Sequence, residues 1–190
     1  MIADELRKSN IAEYLLHMWQ MESLVRAYGL DIDRIDADII SKMPDEGSRH
    51  DAREWFENII KMMELENVRE SGHLQINKNV IIRLADLHQE LLKSPKFPEY
   101  GAEFYKTLPY IVELRAKSGD AVVGEIETCF NALYGTMMLR LQKREVSEGT
   151  AQAVAQMTRF LAMLARFYKL NEEKPIFDDD ADGSSAGGML

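Results

Sequence analysis

Apolar residues recur every three or four positions from Ile11 to Tyr168, and no strand-like alternation competes with them. Tyr14, Met18, Met21, Val25 and Tyr28 keep this spacing near the start, and Val154, Met157, Leu161, Leu164 and Tyr168 keep it near the end. The spacing places each set on one face of an α-helix. It predicts an all-α fold, a helical bundle of about six to seven helices with mostly antiparallel neighbours.

Punctuation residues set the expected boundaries. A first helix runs from Asp4 to Tyr28 and stops at Gly29, because glycine accepts the left-handed conformation that ends helices. Asp31 caps a short second helix, and Ser48 opens a third that reaches Arg69. The fourth covers Leu74 to Lys93. The fifth, Ala102 to Lys117, contains Pro109, which predicts a kink or two short helices meeting. Gly119 ends it and Asp120 caps a sixth helix, Ala121 to Arg144; Ser147 caps a seventh that ends near Leu170. Residues 1–170 thus form one helical domain, and residues 171–190 are expected to be a disordered acidic tail.

Charge narrows the partners. The net charge is −9, but the stretch from Asn171 holds six acids and one base, which leaves the body mildly acidic. Binding to nucleic acid needs a basic footprint, and binding to anionic lipid needs basic clusters; neither is expected here. Cys129 is the only cysteine, and its apolar neighbours Ile126, Phe130 and Leu133 predict a core thiol. No secretory leader pattern opens the chain, and no run approaches the roughly 20 apolar residues of a membrane helix. A cytoplasmic protein with no cofactor and no metal is the expectation.

The common catalytic signatures are missing. No Gly-rich phosphate loop follows a strand, and neither G-x-S-x-G nor H-E-x-x-H occurs. Glu70 and His73 have the Glu-x-x-His spacing of di-iron bundles but straddle a helix stop, so one helical face does not carry both. Catalytic residues are therefore unknown from sequence. His17 reads as a solvated partner of Glu13, and His50 and His73 as surface residues.

Two polar residues break the apolar stripes. His88 lies among Ile81, Leu84 and Leu91, and Glu22 among Leu15, Met18 and Val25. A buried carboxylate is costly unless paired. One reading pairs Glu22 with Arg26 at i+4 at the edge of the core. The other brings Glu22, His88 and Tyr134 together as a ligand-binding polar pocket inside the bundle. Trp19, on the flank of the first stripe, reads as a partner anchor or a half-buried ring.

The run Ile11-Ala12-Glu13-Tyr14-Leu15-Leu16-His17-Met18-Trp19-Gln20 and its continuation to Ala27 resembles the opening of a family of uncharacterised all-helical bacterial proteins, a domain of unknown function. The likeness extends over about Ile11 to Leu170. It implies a helical, bacterial, cytoplasmic protein and supplies no activity, cofactor or catalytic residue.

The last helix is apolar over an arc of roughly 200°, because Phe160, Met163 and Phe167 widen its stripe on one side. Either this helix is central in the bundle or that flank meets another chain. The expectation taken is a homodimer through this flank, since a terminal helix is easily placed at a rim. The function expected is a non-enzymatic protein acting through self-association or an unidentified protein partner. The alternative is a bundle that binds a small molecule or metal in its polar pocket, with or without catalysis.

Overall fold

A computed structural model describes residues 2–118 and 123–177. Among them every regular element is helical: α1 (Ile2–Ser9), α2 (Ile11–Ala27), α3 (Ile32–Asp38), a single 3₁₀ turn (Ile40–Lys42), α4 (Glu46–Leu65), α5 (Gln75–Lys93), α6 (Pro98–Ser118), α7 (Glu125–Leu141) and α8 (Glu148–Glu173). No helix there is long and apolar enough to cross a membrane.

The expected first helix is two helices. Asn10 adopts an extended backbone and its side chain accepts from the amides of Ala12 and Glu13, so it caps α2. The cap of α4 is Asp45 rather than Ser48, and α4 stops at Leu65, short of Arg69. Pro109 neither splits nor ends α6, which starts at Pro98, where the missing N–H costs nothing. The carbonyl that Pro109 leaves without a helical donor belongs to Tyr105, an exposed residue within reach of water. Helix α7 begins at Glu125, and the expected cap Asp120 lies outside the described residues.

The core is gathered around α8, which packs against α2, α5, α6 and α7. This explains the width of its apolar arc. Phe160 is fully buried and touches His88, Tyr100 and Phe104; Phe167 is buried against Phe97 and Tyr100. Met163 is partly buried against the same core. Phe97 and residues of α5 and α6 of the same chain therefore cover Phe160 and Phe167, and the interface expectation for these two is corrected; Met163 keeps part of its surface.

The boundary near residue 170 also moves. Helix α8 continues to Glu173, the Asn171 side chain accepts from the Ile176 amide, and Phe177 packs edge-on against Phe97. The disorder expected for the remainder falls on residues 178–190, outside the described residues.

Candidate functional site

The site starts from a capping problem. Helix α5 begins after Leu74, whose side chain has no atom with which to cap a helix and is fully buried. Side chains from elsewhere take over. Glu22 of α2 accepts the Leu74 amide on Oε1 at 2.9 Å, and Glu66 accepts the Gln75 amide at 2.6 Å. Carboxylates are favoured there by the positive end of the helix dipole.

Glu22 is fully buried and carries more than the cap. Its Oε1 also accepts from Asn77 Nδ2 at 2.7 Å, and its Oε2 lies 2.6 Å from His73 Nδ1. A carboxylate oxygen accepts, so Nδ1 is assigned the ring proton. Three donors on one buried carboxylate offset the cost of removing it from water. The imidazole is fixed from a second side, since it lies flat on Trp19 with centroids 4.1 Å apart and planes 13° apart.

Trp19 is locked in turn. Phe130 and Tyr134 meet it edge-on, and the Tyr134 hydroxyl donates to the Trp19 carbonyl at 3.1 Å and bonds Ser23 Oγ. The loop that carries His73 is tied down by Arg26, which donates to the carbonyls of Val68 and Gly72. Gly72 takes φ +85°, a backbone region that glycine enters without strain. The Glu22–Arg26 ion pair is thus corrected: Arg26 is spent on backbone carbonyls, and the carboxylate pairs with residues that lie far along the chain.

His73 keeps a side chain 30% exposed, while Glu22 behind it is sealed. The ring's Nε2 has no protein partner among the described residues. The His73 residue borders a cleft of about 380 Å³ between α2, α5 and the first turn of α7. Trp19, His73 and Asn77 form its inner wall, with Lys78, Ile81, Ile82 and Glu127 around them. Among the described residues, buried Trp19 Nε1 and Asn77 Oδ1 are also without partners.

His88 lies elsewhere. Its Nδ1 is 2.7 Å from the Tyr100 hydroxyl, and the rings of Phe104 and Phe160 enclose it, with centroids 4.6 and 5.7 Å away. Burial pushes its pKa down to about 4 and pushes the Tyr100 phenol well up. The pocket expected from Glu22, His88 and Tyr134 is corrected accordingly. Tyr134 supports the Trp19 wall of the Glu22 site, and His88 shares no partner with Glu22.

Cys129 is fully buried, and burial raises its pKa to about 12. His50 is exposed, as read from sequence. His17 is half-buried, with its pKa lowered by burial, and Glu13 bonds Asn10 instead. Among the described residues no three His, Cys, Asp or Glu side chains group as metal ligands.

The molecule is therefore an all-helical protein with a buried carboxylate that fixes a cleft-facing imidazole. A family model described as "Domain of unknown function (DUF4924)" matches residues 1–174, and the chain belongs to that family. No curated protein and no solved structure matches it.

Proposed function

We propose that this protein binds a small molecule in the cleft over His73. The observation that carries the reading is the pairing of a sealed carboxylate with a partly open imidazole. The cap on Leu74 and the bond to Asn77 account for Glu22 as a structural group. They do not account for a histidine ring that is stacked, oriented and placed at the edge of a cleft with its second nitrogen unpaired among the described residues. A ring held this way presents a hydrogen-bond acceptor in a fixed place, the preorganisation that small-molecule sites use. Association through α8, the reading favoured by sequence, loses its support because Phe160 and Phe167 are core residues.

The test is a thermal-shift screen of a metabolite library against the wild type and His73→Ala. The reading expects at least one compound that raises the midpoint of the wild type and leaves that of His73→Ala unmoved. Hits that stabilise both proteins equally, or a screen without hits, would overturn it.

A further inference from the structure

We infer that the cleft takes a free α-amino acid with an aliphatic side chain; this rests on the small-molecule reading above and names its ligand class. Charge balance points to this class. Lys78 and Glu127 line the same cleft, and neither side chain has a hydrogen-bonded or ion-pair partner among the described residues. A ligand of one sign would meet one of them and leave the other facing a like charge or desolvated without a partner. A neutral ligand would desolvate both for no return. A zwitterion uses both.

The position of Lys78 strengthens this. It lies in the fourth position of α5, at the positive end of a helix with no acidic residue in its first turn. The helix dipole disfavours a cation there, so Lys78 does nothing for α5 itself. An incoming carboxylate would be favoured by the ammonium, the Leu74 and Gln75 amides being taken already by Glu22 and Glu66. Glu127 of α7 and His73 also line the cleft and supply two acceptors for a ligand ammonium group. Ile81 and Ile82 follow Lys78 at i+3 and i+4, so they share its helix face and offer an apolar floor beside the carboxylate position. A volume of about 380 Å³ is near the lower end for small-molecule sites and suits a single amino acid.

The experiment uses a Trp55→Phe background, which leaves Trp19, stacked on His73, as the only tryptophan. L-leucine, leucinamide and N-acetyl-leucine are titrated, with fluorescence and calorimetry as readouts. Leucine is expected to bind, and removing either ligand charge is expected to weaken binding about tenfold or more, the scale of one lost charge-assisted bond. Lys78→Met should weaken leucine but leave leucinamide unchanged. Glu127→Gln should weaken leucine but leave N-acetyl-leucine unchanged. Both side chains are at least partly exposed, and circular dichroism verifies that the variants fold. The amino-acid assignment is overturned if leucine does not bind or if the neutralised analogues bind as well as leucine. In that event a library compound whose effect depends on His73 would still uphold the small-molecule reading, so the two failures are distinguishable.

Discussion

His73 and His88 lie close together in the chain and have opposite fates. His73 precedes α5, meets a carboxylate, lies on one aromatic ring and keeps nearly a third of its side chain open. His88 sits well inside α5, meets a phenol, is enclosed by aromatic rings and is 1% exposed. Burial alone does not mark a working histidine. The enclosed ring is held neutral by its surroundings and serves packing. Each ring keeps an Nε2 without a partner among the described residues, but only the half-open ring, backed by a charge that is itself sealed, lines a cleft.

The largest effect should come from removing the carboxylate. Glu22→Ala strands the Leu74 amide, the Asn77 amide group and the His73 ring at once, and should cost about 4 kcal/mol in chemical denaturation. Glu22→Gln keeps an acceptor for Leu74 and Asn77 and should cost about half as much. If the alanine and glutamine variants are equally stable, the three-donor account of Glu22 fails.

The second histidine makes a prediction with a pH signature. Its pKa is about 4 in the folded protein against 6.5 ordinarily, so below pH 6.5 the unfolded chain takes a proton that the folded chain refuses. Stability should therefore fall as pH drops from about 6.5 to about 4 and lose no more from this group below that; the loss is about 3 kcal/mol at most. His88→Gln, which can still bond the Tyr100 hydroxyl, should lack this component when denaturation is followed across pH. An unchanged pH slope in the variant would place His88 outside the sealed core.

Arg26 ties the His73 loop without touching the carboxylate. Arg26→Ala should cost about 2 kcal/mol through its lost bonds to Val68 and Gly72. It should also speed amide hydrogen exchange in the loop 66–74 more than in α8. Uniform changes across the chain would argue against a local tie. The smallest effect belongs to the end of the body: truncation after Leu170 removes Ile176 and Phe177 and should cost about 1 kcal/mol, read as a lower thermal midpoint. No change would free Phe177 from Phe97.

The sequence showed which residues were out of place but not what they met. Glu22 and His88 were legible because each interrupts an apolar helical face, and both prove buried. Their partners were not legible. His73 and Asn77 sit more than 50 positions from Glu22, the first in a loop and the second in an opening helical turn, and helical periodicity is silent about both places. Arg26 misled because i+4 proximity is a local rule, while carbonyls freed by a chain reversal compete for the same guanidinium. A residual signal existed in Leu74: a helix starting after leucine lacks its own cap, so some distant acceptor must supply one. The breadth of the apolar arc on α8 was also legible, but width alone does not distinguish a central helix from an interface.

The most direct test of the account is nitrogen NMR of the His73 ring in the wild type and in Glu22→Gln, at a pH where the ring is neutral. The wild type should show a protonated Nδ1 and a bare Nε2. Glu22→Gln should show the reverse, because the new amide donates to Nδ1. A bare Nδ1 in the wild type, or the same tautomer in both proteins, would contradict the claim that Glu22 sets what His73 presents to the cleft.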